Sequence, residues 1–184
     1  MLYTIFPIPH DLTWMLVSIL AAFILTFVAI KVGIVRLPKD QGRKHAVNGE
    51  LAKGKPRGAG LIFSIASVLV FLLFVPFRWE YVIYCALFLL EMLSGYLDDR
   101  SDASWSEWKK GLLDIVVCLA AAGAYLAFNE SNSLSLFGWS PVLPPWVFLI
   151  IATFVLWISI NFTNCTDGVD GLLGSVSIVS LATF

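Results

Sequence analysis

The sequence predicts an all-α, polytopic transmembrane helical bundle, and three observations carry that prediction. The 184 residues are 59% hydrophobic with a mean hydropathy of +0.85, against about 45–50% apolar for an average soluble domain. Only 14% are charged, where a soluble domain carries about 25%. The apolar residues fall into runs of roughly bilayer length, ~20 residues for a hydrocarbon core of ~30 Å, and the charges cluster between them. The net charge of −1 offers no argument for a nucleic-acid partner, and none is expected. Cys85, Cys118 and Cys165 lie in or beside apolar runs, which speaks against a disulfide framework.

Residues 12–35 form the first span; no Lys or Arg precedes it, so it lacks the basic start of a signal peptide. Lys31, near its inner end, can extend its ammonium toward water. Residues 36–57 hold Arg36, Lys39, Arg43, Lys44, Lys53, Lys55 and Arg57 against Asp40 and Glu50. By the positive-inside rule this loop is cytoplasmic and the N-terminus is outside. Residues 59–75 return outward, 76–80 make a short external turn, and 81–97 go back in. Residues 98–110 are cytoplasmic, 111–128 go out, and 129–145 form an external loop with three Pro. A fifth span runs from Pro145 or Trp146 to about Ile160, and a sixth begins at Leu172. Trp14, Trp79, Trp139 and Trp146 fall at outer boundaries, and Trp105 and Trp108 at an inner one, as an aromatic belt requires. The chain is thus expected to be one transmembrane domain, 1–184, of five spans and the start of a sixth, with no internal repeat.

The polar residues are placed less evenly than the spans. The stretch NFTNCTDGVDGLLG, Asn161 to Gly174, packs two Asn, two Thr and two Asp into its first ten residues, directly after an apolar run. An unsatisfied Asp at a span centre costs about 2.5–3.5 kcal/mol on insertion scales. A loop with a helix cap, Thr166 or Asp167 capping and Gly168 and Gly171 relaxing the turn, would use one such side chain; six are present. Asp98 and Asp99 end an apolar helix, where the macrodipole disfavours acids by about 0.3–1 kcal/mol each, and the two repel each other. Mg²⁺, which favours a few carboxylates with substrate phosphates, would relieve both penalties. A solvated acidic loop paired with Arg100, Lys109 and Lys110 is the alternative. Glu91 is an ionisable residue inside a span, read as a functional candidate or a helix–helix hydrogen bond. Counting spans turns the basic loop, the Asp98–Lys110 segment and the Asn161–Asp170 cluster to one compartment, the cytoplasm. An anionic, water-soluble substrate on that side is the natural inference.

LDDRSDASWSEWKKGLLD together with NFTNCTDGVDGLLG resembles the polyprenyl-phosphate N-acetylhexosamine-1-phosphate transferases, and within them looks most like the bacterial phospho-N-acetylmuramoyl-pentapeptide transferases. The Asn-x-x-Asn-x-Thr-Asp-Gly-x-Asp-Gly pattern is highly specific, and the Asp-Asp ending the third span moderately so. Arg43-Lys44-His45 and Pro56-Arg57-Gly58-Ala59-Gly60 also stand at family-like places. There the family usually has Thr-Pro-Thr-Met-Gly-Gly, with a Lys two residues before the preceding Gly. Here Lys55 and Arg57 occupy the Thr positions, and Lys53 directly precedes Gly54.

The resemblance implies transfer of phospho-MurNAc-pentapeptide from UDP-MurNAc-pentapeptide to undecaprenyl phosphate, giving lipid I and UMP for peptidoglycan synthesis. It implies Mg²⁺ as cofactor, a multi-pass protein of the bacterial plasma membrane, and an active site facing the cytoplasm; a homodimer is among the assemblies it allows. Asp98, Asp99 and Asp167 would be the catalytic and metal-side carboxylates. Lys110, Asn164, Gly168, Asp170, Lys53 and Arg57 would bind substrate. Lys110 lies eleven residues, about three helical turns, beyond Asp99, so the intervening residues must fold back or form part of a helix.

Other readings stay open on the sequence alone. A transferase for another UDP-N-acetylhexosamine, feeding teichoic acid or surface polysaccharide, shares the motifs. A transporter would string acids across the bilayer, whereas Asp98, Asp99, Asp167 and Asp170 fall at one face, with Glu91 and Asp114 deeper. The family's later loops supply a further Asp and a His-rich segment; the two His here are His10 and His45. The residues therefore read as the N-terminal half of a longer enzyme or a truncated, inactive product, and on their own are expected to be incomplete.

The topology is testable by cysteine-accessibility labelling in a Cys165→Ser background. Cysteines at Lys44, Asp102 and Thr166 should react from the cytoplasm and one at Ser133 from outside. Labelling of positions 102 and 133 from the same side would contradict the assignment.

Overall fold

The computed structural model describes residues 12–39, 53–101, 105–135, 138, 140–166 and 171–183. Among them six α-helices follow in order: α1 Leu12–Gly33, prolonged by a 3-10 turn at Ile34–Arg36, α2 Ala59–Phe74, α3 Trp79–Arg100, α4 Glu107–Phe128, α5 Pro145–Thr166 and α6 Leu172–Ala182. The described residues contain no strand, only two isolated antiparallel bridges. The all-helical, multi-pass architecture expected from hydropathy is therefore the one found. Four stretches, Leu12–Arg36, Trp79–Arg100, Glu107–Phe128 and Pro145–Asn164, are long and apolar enough to cross a membrane. The 16 residues of α2 rise only about 24 Å at 1.5 Å per residue, which makes it, with α6, one of the shorter apolar helices.

Three boundaries differ from the expected ones by three residues or more. The third helix runs past Leu97 to Arg100, which puts Asp98 and Asp99 in its last turn. The fourth starts at Glu107, a turn before Gly111. The fifth continues past Ile160 to Thr166, because its polar side chains bond to the helix's own carbonyls. Asn161 Nδ2 donates to Trp157 O (2.9 Å), Thr163 Oγ1 to Ser159 O (2.6 Å) and Thr166 Oγ1 to Phe162 O (2.7 Å). Such i to i−4 bonds satisfy a hydroxyl or amide without ending the helix. The N-cap of α6 is Gly171 with φ +79°; Asp167, an expected cap, lies outside the described residues.

The chain divides into two compact units, Met1–Lys110 and Gly111–Phe184. In the first, α2 packs between α1 and α3, and Ser64, Ala66, Val68 and Val70 are its buried residues. Small residues let the backbones approach: a Cβ at Gly33 of α1 would stand 2.7 Å from Ile62 Cδ1. The opposite ends of these helices are joined by aromatic pairs, Trp14 with Phe74 and Phe71 with Tyr81, at centroid separations of 5.2 and 5.7 Å. No residue of α1 is buried, so much of its apolar surface is left for lipid, where the hydrogen-bonded helix leaves no backbone group unsatisfied.

In the second unit α4 and α5 run antiparallel. Tyr125 stacks on Phe148 at 5.4 Å between ring centroids, and Trp157 Nε1 donates to the carbonyl of Gly111 at 3.2 Å. Asp114, Cys118 and Ala122 are the buried residues of α4, spaced four apart and so on one face. Between these helices the chain doubles back, with Ser133 bridged to Val142 and Leu143 N–H bonded to Asn132 O at 3.0 Å.

Two glycines with nearly the same φ separate strain from packing. Gly54 (φ +86°) has nothing within 4 Å of a built Cβ, whereas at Gly58 (φ +80°) that atom would meet the Tyr96 ring at 2.9 Å. Gly54→Ala should cost only the left-handed backbone, about 1–2 kcal/mol. Gly58→Ala should lower the detergent-solubilised melting temperature further; equal shifts would contradict the packing of Gly58 on α3.

Candidate active site

The acidic end of α3 is where the first unit gathers its charge. The helix is closed by Ser101, whose N–H donates to the carbonyls of Leu97 and Asp98 (both 3.1 Å) and whose hydroxyl donates to Asp98 O at 2.7 Å. Asp98 and Asp99 thus sit at the negative end of the macrodipole, with Arg100 beside them as its favourable counterpart. Each carboxylate has a cation. Lys110 Nζ lies 2.9 Å from Asp98 Oδ2, and Arg57 Nη2 lies 2.9 Å from Asp99 Oδ1. The Trp105 N–H donates to Asp98 Oδ1 at 2.6 Å.

The two cations arrive by different routes. Arg57 precedes the N-cap of α2, and its N–H donates to Pro38 O at 2.8 Å, beside a bridge between Lys39 and Pro56. The two ends of the basic loop are thereby pinned together against α3. Lys110 arrives because Trp105 stands against Asp98 and the chain is helical again from Glu107, the close return that the sequence spacing left open. Ser106 Oγ accepts the Lys109 N–H at 3.4 Å, as an N-cap does. Lys109 Nζ lies over the Trp105 ring, 3.3 Å from its centroid, a cation–π contact. Glu107 Oε1 adds a second acid 3.5 Å from Lys110 Nζ.

Exposure ranks the two pairs. The Asp99 and Arg57 side chains are each 34% exposed, against 19% for Asp98 and 25% for Lys110. A pair as exposed as Arg57–Asp99 adds about 0.2–1 kcal/mol, so its value lies more in placing charge than in stability. Lys53 is exposed, in the turn at Gly54, and makes no ion pair with another described residue.

In the second unit Asn161 faces α4, its amide also reaching the buried Asp114 Oδ2 at 3.4 Å. A hydrogen bond of this kind between membrane helices contributes about 0.6 kcal/mol, up to about 1.7. Asn164 is exposed and lines an open groove of about 390 Å³ with Ser159, Ile160, Thr163 and Leu173. Asp167, Gly168 and Asp170 lie outside the described residues. Glu91 is half-buried within α3.

Mg²⁺ takes one or two carboxylates and completes its shell with phosphate oxygens and water. Among the described residues no group of three His, Cys, Asp or Glu side chains could hold a metal. Asp98 has both oxygens engaged, whereas Asp99 is the more exposed. The donor set fits an ion that brings a phosphate ligand with it and has Asp99 as a protein donor; it does not fit a closed protein cage.

Sequence reasoning named Asp98, Asp99, Lys110 and Arg57 but missed three participants. The Trp105 backbone N–H leaves no mark in a sequence. Glu107 was readable as an acid three residues before Lys110, a helix-neighbour spacing. Asp114 was noted only for its depth; its spacing with Cys118 and Ala122 marks it as facing a helix.

Comparison with known proteins adds the following. Glycosyl transferase family 4 matches residues 81–184. The phospho-N-acetylmuramoyl-pentapeptide-transferase of Treponema pallidum (strain Nichols) is 37% identical over 176 residues, covering 90% of this chain and 47% of that protein. The undecaprenyl-phosphate alpha-N-acetylglucosaminyl 1-phosphate transferases of Yersinia pestis and Escherichia coli (strain K12) are each 33% identical, over 167 and 159 residues, covering 90% and 84% of this chain and 42% and 40% of theirs. The chain spans about half the length of the curated relatives it matches. No solved structure shows a significant match.

Proposed function

This chain belongs to glycosyl transferase family 4, and on that premise we propose that it serves the transfer of a sugar phosphate from a UDP-linked N-acetylhexosamine to a polyprenyl phosphate, in the bacterial plasma membrane and on its cytoplasmic face. The observation that carries this reading is the pairing of two adjacent carboxylates with two cations at the end of an apolar span. In the reaction an oxygen of the lipid phosphate bonds to the sugar-bearing phosphorus of the UDP-sugar. The bond from that phosphorus to the bridging oxygen breaks, and UMP leaves with the electron pair.

Both reactants are anionic, so the first demand on the protein is positive charge where phosphates meet. Arg57 and Lys110 supply it, each held in place beforehand by a carboxylate. The lipid phosphate is ionised without help, so positioning matters more than a strong base. Mg²⁺, when bound, supplies further neutralisation of diphosphate charge, and among the described residues Asp99 would hold it. In the second unit Asn164, at its open groove, is suited to polar contacts with a nucleotide; Asp167, Gly168 and Asp170 are proposed for the same task.

The 37% identity to the Treponema protein favours phospho-MurNAc-pentapeptide as the group transferred, giving lipid I. The 33% identity to the Yersinia and Escherichia proteins supports a second reading, with N-acetylglucosamine 1-phosphate as that group. UMP release by the full-length protein, with undecaprenyl phosphate, Mg²⁺ and each UDP-sugar in turn, tests both. Turnover with UDP-MurNAc-pentapeptide and none with UDP-GlcNAc is expected; the reverse establishes the second reading. Asp98→Asn and Asp99→Asn should each lower kcat by roughly 10²–10⁴, and Asp102→Asn should stay within about threefold. Equal, small effects of all three would contradict a role for the pair.

A further inference from the structure

The two carboxylates at the end of α3 are adjacent in sequence but differ in what they hold. Asp99 pairs with Arg57, which belongs to another element, and is one-third exposed. Asp98 is more enclosed, and both its oxygens are committed to one local segment: Oδ1 to the Trp105 N–H at 2.6 Å and Oδ2 to Lys110 Nζ at 2.9 Å. Had α3 continued as a helix, Lys110 would stand about 18 Å along the axis from Asp98.

We propose that Asp98 is a positioning residue: it holds Trp105 and Lys110 against the end of α3, leaving Asp99 as the carboxylate that meets the reacting phosphates. The contacts of the described residues around it serve the same placement. Ser101 closes α3 on the Asp98 carbonyl. The Trp105 N–H is satisfied by the Asp98 side chain, and the Trp105 ring carries the Lys109 ammonium. Ser106 then opens α4, its carbonyl accepting the Lys110 N–H at 3.2 Å. Without the Asp98 carboxylate, a part-buried backbone N–H and the Lys110 ammonium would both lose their acceptor, and Glu107, 90% exposed and 3.5 Å away, is a weak replacement. The importance of holding Lys110 rests on the proposed phosphate-transfer reading, but the contact itself does not.

The test needs no turnover, so its failure and a failure of the proposed reaction are separable. The chain is reconstituted in lipid nanodiscs, and two quantities are followed. One is hydrogen exchange of the 101–108 segment; the other is acylation of Lys110 relative to Lys53, at one fixed pH. Asp98→Ala should accelerate exchange roughly tenfold or more and raise Lys110 acylation severalfold. Asp98→Asn retains an acceptor for the Trp105 N–H, so exchange should stay near the parent value while Lys110 acylation still rises. Asp99→Asn should change neither. The proposal is overturned if Asp98→Ala leaves exchange within about twofold, if Asp99→Asn matches the Asp98 variants, or if Asp98→Ala accelerates exchange equally across α2, which would mark general destabilisation.

Discussion

Two neighbouring carboxylates at the negative end of an apolar helix have to be compensated, and the first unit is arranged around that requirement. Like charges in adjacent positions repel, and the helix terminus adds to the penalty. The chain answers with two cations from opposite directions. Arg57 is delivered by the closed base of the basic loop, and Lys110 by the turn that starts α4. The close seat of Gly58 on Tyr96 and the contact of the Trp105 N–H with Asp98 both accompany their delivery. The same arrangement sets two cations at the end of an apolar span, where the proposed reaction would bring a lipid-borne phosphate.

The second unit solves a different problem with related means. A buried Asp and an Asn cross-link two helices, and a run of Asn and Thr is carried on α5 by bonds to its own carbonyls. Keeping that run helical presents Asn164 at the groove beside Leu173. The polar groups of Asn161, Thr163 and Thr166 are thereby placed near hydrocarbon with their hydrogen bonds made, the condition under which a membrane protein can carry a chemical site.

The spans were legible in the sequence because hydropathy and length are the same physical quantity the bilayer selects. Their ends were less so. Asn161, Thr163 and Thr166 read as a loop by composition, yet each hydroxyl or amide finds a carbonyl four residues back, which composition does not report. Asp98, Asp99, Arg57 and Lys110 were recognisable as site residues by motif, but their pairing was not. Arg57 and Asp99 are 42 residues apart and meet only because α2 and α3 pack antiparallel. The fold-back to Lys110 hangs on a backbone N–H, which is common to almost every residue and so signals nothing.

A charge swap across the Arg57–Asp99 pair tests most directly whether compensation organises this end of the protein. Arg57→Asp places a third acid beside Asp98 and Asp99, Asp99→Arg places two cations together, and the double variant restores one of each. Thermal unfolding in detergent should show both single variants destabilised and the double variant recovering most of the loss. A double variant as unstable as the sum of the singles would contradict the account.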